Sequence, residues 1–535
     1  MTYLLKRSLA FAATIALSML VMPQAQAQTV EDAIRVADRL PAVGVRLSGM
    51  GGASIGGIGD YGALYSNPAG LAYYKGSALS GTLGFNTATN DAVFEGSGFR
   101  EGFDNEFTST QLGNLAYVYA FPVSRGSLVF GVTFNRTNDF DRELRFDATN
   151  PSGTITEFFL PFGDEFSVTE IGAGDDGQLG TFDDDIVLDF SRPLSFAAFE
   201  TFATDLDRDF YEQTGEVAFL PAVASGTSVR QQGRVLETGG INELNVGGAV
   251  EAAENVMVGV GLNVVFGNYE FRSTFEEIDE RNENDGNFGT TDFASLFYEN
   301  RFETDMVGVN LRGGVSFQAT PALRIGFSAE TPTYMVMDEA FSGIVETQFD
   351  NGDVFVYGDE VVEDAFDGTF EYELRTPWRF GVGGVYQIGR LTVAADLEFV
   401  DWTQMEYSSD GFDAALDATN DEIRDGLDAT TNVRVGAEYR LGKFDFRLGG
   451  GTSPDPRNDS YLRGASLRDL QPDRQRQYGS LGFGYRFSDQ FRLDAAWTAQ
   501  RFEDLYLPYS EVDNIPYVTE EVTRSQFVVG LTLLY

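Results

Sequence analysis

Cysteine and histidine are absent from the whole chain. The first absence excludes disulfides and thiol nucleophiles; the second removes imidazole metal ligands and imidazole general bases. Enzyme chemistry therefore has little to work with, and no cofactor is expected. Lysine is nearly missing too, with Lys6, Lys75 and Lys443 the only examples, so arginine carries almost all the positive charge. Against 37 basic residues stand 82 acidic ones, a formal net charge of −45. A chain this acidic is an implausible partner for nucleic acid. Two explanations of the excess stand side by side: outer loops that gather divalent cations, or a saline medium that screens self-repulsion. Long apolar runs are also lacking after residue 27. If the mature chain lies in a membrane, it does so as a closed β-barrel, the one strand architecture that leaves no backbone group unpaired in lipid.

The first 27 residues read as a cleaved signal peptide. Lys6 and Arg7 precede an apolar core from Leu9 to Met22, and Ala25-Gln26-Ala27 is a small-x-small cleavage site. From Val30 to Leu40 the pattern is helical and stops at Pro41. After Lys75 the period switches to two, beginning with Leu79, Gly81, Leu83 and Phe85 on one face. Similar alternation recurs near 112–121, 126–134, 242–252, 256–271, 303–317, 323–329, 370–387, 390–399, 431–441, 443–449, 479–487, 490–499 and 521–535. That predicts an all-β, antiparallel transmembrane barrel of about fourteen strands. The connections support it: short turns such as Pro122 to Gly126 and Gly442-Lys443 alternate with long segments at 90–110, 147–240, 276–300, 346–366, 409–429, 453–475 and 505–518. Barrels of the outer membrane keep short turns on one side and long loops on the other. The final strand places Phe527, Val529, Leu531, Leu533 and Tyr535 on one face.

Between helix and barrel lies an unusual stretch, Gly49-Met50-Gly51-Gly52-Ala53 followed by Asn67-Pro68-Ala69-Gly70-Leu71. Glycine lets backbone approach backbone, and Pro68 keeps Asn67 out of the helical region. Such a segment must lean on a surrounding wall. Gly49, Gly51, Gly52, Asn67, Pro68, Ala69 and Gly70 together resemble the hatch of the outer-membrane transporters of long-chain fatty acids and other hydrophobic compounds (FadL/TodX type). The terminal aromatic resembles the signature read by the barrel-assembly machinery. The resemblance implies a signal peptide (1–27), a hatch filling the lumen (28–74) and a barrel (75–535) whose longest outside loop is 147–240. It implies a monomer in the outer membrane of a Gram-negative-type bacterium, surrounded by lipid, through which hydrophobic small molecules pass by diffusion.

Several residues invite closer reading. Alternation turns Arg312, Arg379, Asp396, Glu398, Arg434, Glu438, Asp445, Arg447, Arg486, Arg492 and Asp494 inward, as a salt-bridged lumen able to hold the hatch. In the long loop, Phe158, Phe159 and Phe162 are apolar for an exposed segment, and Phe196, Phe199, Phe202, Leu206 and Phe210 have the spacing of an amphipathic helix. Two readings are open: packing onto the barrel rim, or an outer groove for an acyl chain. Asp175, Asp176, Asp183 and Asp185 are calcium candidates by ligand type alone. On the third strand, Leu128, Phe130, Val132 and Phe134 face lipid, and Arg136 and Asn138 come next in that phase, beside Asn135. Either the strand has reached the headgroups at Arg136 or it kinks there and turns Arg136 inward; the family's third strand bends away and opens a side window. The alternative function is a docking component of a protein secretion system, since relatives of that kind share the hatch motif. An open porin fits less well, because a hatch would obstruct it.

Overall fold

The computed structural model describes residues 28–535 except 75, 164, 175–176, 225, 285–291, 359–366, 410–412, 462–471 and 511–514. The expected signal peptide lies outside the described residues. The wall strands are β1 (Ala78–Gly96), β2 (Phe99–Ala120), β3 (Leu128–Asp139, continuing as Arg142–Asn150), β4 (Val229–Ala253), β5 (Val256–Ile278) and β6 (Phe293–Gln318). Next come β7 (Leu323–Glu330 and Tyr334–Phe349), β8 (Asp367–Arg375 and Arg379–Ile388) and β9 (Leu391–Asp401 and Glu406–Ser408). The circuit ends with β10 (Ala429–Leu441), β11 (Phe444–Ser453), β12 (Arg476–Arg486), β13 (Phe491–Tyr506) and β14 (Tyr517–Leu534). Neighbours pair antiparallel, and β14 pairs back on β1 from Ala78↔Leu534 to Glu95↔Tyr517. The result is a closed barrel of 14 strands.

Burial is inverted relative to a soluble protein. Leu79, Phe130, Leu262, Leu311, Phe399, Leu448, Trp497 and Leu531 are exposed, while Arg312, Glu438 and Arg447 are buried. Large apolar side chains point out because lipid rather than water surrounds them, and the polar phase of each strand points into the lumen.

Three features depart from the sequence reading. The segment 90–110 is not a loop: β1 and β2 continue through it and meet in a tight turn at Gly98, whose φ is 92°. Its polar outer positions imitate a loop, but Ala92 and Phe94 keep the inward phase and are buried. The run 370–387 is not one strand, and 323–329 is only half of one. Pro332 and Pro377 interrupt β7 and β8 at the same height, since proline cannot donate to a ladder. Thr333 N donates to Thr376 Oγ1 at 2.8 Å across that break. Helix α1 (Val30–Ala37) stops three residues short of Leu40. The wall claims the backbone that would extend it, because Asn138 Nδ2 donates to Asp38 O at 3.0 Å and Leu40 N donates to Thr137 O at 2.7 Å.

Candidate functional site

Residues 28–74 sit inside the wall. Helix α1 begins on a reciprocal cap, Asp32 N donating to Thr29 Oγ1 and Thr29 N to Asp32 Oδ2, each at 3.2 Å. Its apolar face joins Met306, Met335, Met337, Tyr372 and Trp402 in one core. Glu31 fixes its outer end: Arg457 Nε donates to Glu31 Oε1 at 2.9 Å, and Tyr461 Oη to the same oxygen at 2.9 Å. Burial works against the Glu31 charge, but Arg457 outweighs it and holds the pKa below the ordinary 4.5.

The glycine-rich part of the hatch is gripped through its backbone. Asp396 accepts from Ser54 N at 2.5 Å and Ile55 N at 2.9 Å. Arg312 Nη1 donates to Leu64 O at 2.8 Å, and Ser316 Oγ to Gly56 O at 2.9 Å. Arg46 makes a bidentate pair with Glu438, at 2.9 and 2.8 Å. Asn67, wholly buried, donates to Ile55 O at 2.7 Å and accepts from Ala69 N at 3.1 Å. Pro68, Ala69 and Gly70 follow it in a short 3₁₀ turn (Pro68–Tyr73). Gly51 and Gly52 take φ of 63° and 81°, and Gly49 packs on the backbone of Gly482.

What the sequence reading missed is the wall's half of this fit. A Cβ on Gly314 would lie 1.9 Å from Asn67 Oδ1, and one on Gly436 would lie 2.1 Å from Met50 O. The signal was available as glycines at inward strand positions. A second missed feature is a belt of buried asparagines. Asn135 Nδ2 donates to Asn245 Oδ1 at 2.5 Å, Asn245 Nδ2 to Asn263 Oδ1 at 2.7 Å, and Asn263 Nδ2 to Asn310 Oδ1 at 2.6 Å. Asn114 donates to Asn135 at the other end.

The belt ends where the wall opens. Pairing of β2 with β3 runs from Ala120↔Val129 to Asn114↔Asn135 and goes no further. Both strands are irregular at this height: β2 slips against β1 beside Gly113, and β3 slips against β4 between Arg136 and Asn138. A bulge bends its strand, so two at one level drive the strands apart. The upper half of β3 moves inward, where Asn86 of β1 donates to Asp139 Oδ2 at 2.7 Å and Phe94 meets Phe146 at 4.6 Å. The strands touch again higher up, Arg145 N donating to Asn105 Oδ1 at 3.0 Å. Of the two expectations for Arg136, the inward turn is not what the slip produces: the strand is irregular there, but the residue turned inward is Asn138. Arg136 keeps the phase of Phe134 and donates to Gly239 O at 2.6 Å.

A cavity of about 100 Å³ lies between hatch and seam. Leu40, Pro41 and Gly52 of the hatch line it, with Phe107 and Ser109 of β2 and Asn138 of β3. A separate space of about 530 Å³ lies at the short-turn end, lined by Tyr61, Tyr74, Arg46, Arg440 and Arg492. The two share no lining residue.

In the long loop the expected Phe-striped helix is broken. It ends at Glu200, and Phe202 takes φ of 60°, so the spacing does not continue to Phe210 as one helix. Phe159 and Phe199 are buried. Phe158 meets Phe159 at 6.0 Å with the rings tilted, Phe196 meets Tyr357 at 5.5 Å and Phe202 meets Phe355 at 4.7 Å; Phe162 is exposed. Of the calcium candidates, Asp175 and Asp176 lie outside the described residues. Asp183 accepts from Thr181 Oγ1 at 2.9 Å, and Asp185 opens a hairpin strand (Asp185–Phe190). Their neighbour Asp184 is the buried one, accepting from Tyr211 Oη at 2.8 Å.

No protein-family model matches the chain, and no curated protein does. Solved structures do. A FadL homologue of Pseudomonas aeruginosa aligns over 93% of this chain and 99% of its own, with 12% identity and a TM-score of 0.51. The deltaS2 mutant of the TodX monoaromatic hydrocarbon channel aligns over 92% and 98%, with 13% identity and a TM-score of 0.50. The chain has the FadL-type fold. In this FadL-type barrel the hatch, the cavity and the open seam adjoin one another.

Proposed function

We propose that the protein is an outer-membrane channel for passive uptake of hydrophobic small molecules, which leave sideways through the β2–β3 seam. The observation that carries this reading is the cavity beside the hatch, whose lining reaches both edges of the one stretch where β2 and β3 are unpaired. An apolar cargo moving down past the hatch would break the Asp396, Arg312 and Arg46 contacts and then meet a charged vestibule. Moving sideways, it enters lipid without crossing water. An internal cavity and an open seam are features a conduit needs and a secretion-docking platform does not.

The remaining assignments follow from this. Phe158, Phe159, Phe196, Phe199 and Phe202 seat the long loop on the rim, while Phe162, Leu179 and Phe182 stay exposed on that loop as apolar side chains that a cargo meets first. The barrel works as a monomer in contact with lipid, and its last strand is the segment the assembly machinery receives. The test is mass spectrometry of an organic extract of the barrel purified from its native membrane. A fatty acid or hydrocarbon should co-purify in the full-length protein and be lost when Phe107 and Ala88, on the cavity wall, are replaced by Trp. Recovery of a large secretion assembly with no lipid-soluble cargo would overturn the reading.

A further inference from the structure

Charge is spread unevenly over this barrel. The chain has 82 acidic residues against 37 basic ones, yet one arc of the short-turn rim, from the end of β8 to the end of β12, reverses that balance. Gly389 and Gly442, with φ of 59° and 61°, open two-residue turns of the same kind, closed by the pairs Ile388↔Leu391 and Leu441↔Phe444. The second residue of each turn is an exposed cation, Arg390 or Lys443. Neither pairs with a carboxylate among the described residues, and Lys443 Nζ donates to Phe487 O at 3.3 Å. Backbone bonds set a further cation beside each: Arg440 N donates to Arg390 O at 3.0 Å, and Arg486 N to Lys443 O at 2.9 Å. Arg440 and Arg486 do pair with carboxylates, those of Glu438 and Asp445. Both acids are buried, however, while the two arginine side chains stay 46% and 38% exposed. The surface of the arc is therefore cationic, and the first exposed acid beyond it is Asp489 in the next turn. The β2–β3 turn differs: near its Arg125 stand Glu251, whose N donates to Ser127 O at 3.0 Å, and exposed Glu254.

The outer face of the same arc is aromatic. Tyr439, Leu441, Phe444, Phe446 and Phe487 are exposed to lipid beside the cations. Phe444 meets Phe483 at 5.9 Å and Tyr485 at 5.1 Å, and Tyr485 meets Phe487 at 4.7 Å. Aromatic girdles mark the headgroup level of a bilayer, which places the four cations at that height. We infer that this arc binds the headgroups of anionic phospholipids, of the phosphatidylglycerol kind, in the periplasmic leaflet. Arg390 and Lys443, with no carboxylate on them, take the phosphate oxygens, and Arg440 and Arg486 add positive charge beside them. The acyl chains lie along the aromatic face, which is what distinguishes a lipid from a soluble phosphate as the occupant. In a circuit of 14 strands the arc lies across the barrel from the β2–β3 seam, so lipid held here fixes the depth of the wall opposite the opening. This interaction is independent of what passes through the lumen.

The experiment is native mass spectrometry of the full-length barrel in detergent, titrated with dioleoyl phosphatidylglycerol and dioleoyl phosphatidylethanolamine in equal amounts. The two probes share their tails and differ in charge. One basic residue at a membrane surface favours an anionic headgroup about fivefold, so the wild type should retain phosphatidylglycerol by at least about that factor. Arg390→Gln combined with Lys443→Gln should remove the preference and leave retention of phosphatidylethanolamine unchanged. Arg390→Lys combined with Lys443→Arg should keep it, and Arg125→Gln, in the turn near Glu251, should behave as wild type. Heat-modifiable mobility confirms that each variant is folded. Equal retention of the two lipids by the wild type, a preference that persists in the double Gln variant, or the same loss in Arg125→Gln would overturn the assignment. Displacement of the lipid by glycerol phosphate at equal concentration would also overturn it, because the arc would then be reading a free phosphate.

Discussion

Both ends of the Asn67 amide are bound, its Nδ2 to Ile55 O and its Oδ1 to Ala69 N, and Gly314 stands where any side chain would collide with it. Replacing Asn67 by Ala leaves buried backbone groups without partners, at about 1–3 kcal/mol for each. The wall does not depend on them. Asn67→Ala should therefore loosen the hatch and raise the ion conductance of single channels in a planar bilayer, with heat-modifiable mobility unchanged. Gly436→Ala should do the same from the wall side, because its Cβ would lie 2.1 Å from Met50 O. Conductance equal to wild type in both variants would mean that the hatch is held by something other than this backbone fit.

Helix α1 is tied to the wall through a titratable pair, Glu31 with Arg457. Glu31 is held below its ordinary pKa, so its pairing with Arg457 contributes stability above about pH 4.5 and loses it as pH falls through the lower, folded value. A spin label on a cysteine introduced at Gln28, in a chain with no other thiol, reads this directly. Its mobility should rise as pH drops below about 4.5, and Glu31→Gln should show the mobile spectrum at neutral pH already. A pH-independent, immobile label in both would contradict the role of the pair. Elements also show how far the sequence could be read. The fourteen strands were legible because an apolar residue at every second position leaves few other readings, and the inward arginines followed from the same phase. The halves of β7 and β8 were not, since Pro332 and Pro377 break a ladder that alternation alone does not follow. At the candidate site the hatch motif and the irregularity near Arg136 were visible. Asn138 turning inward was not, because one bulged residue reverses the phase of everything after it. The asparagine belt went unread because its members are far apart in the chain and meet only through strand pairing.

Across the whole molecule the proposed path runs from exposed apolar side chains of the outer loop, through the cavity against the hatch, to the stretch where β2 and β3 are unpaired. The space at the short-turn end mixes tyrosines with charged groups, among them Arg46 paired with Glu438 and Arg492 paired with Asp494. The proposed function turns on the sideways exit, and uptake with the gap tied shut tests it most directly. Cysteines at Leu112 and Arg136 flank the first level past the last β2–β3 rung, Asn114↔Asn135. Bridged by a short cleavable thiol cross-linker in intact cells, they should stop uptake of a radiolabelled fatty acid, and cleavage of the linker should restore it. Full uptake with the bridge in place would show that cargo leaves by another route.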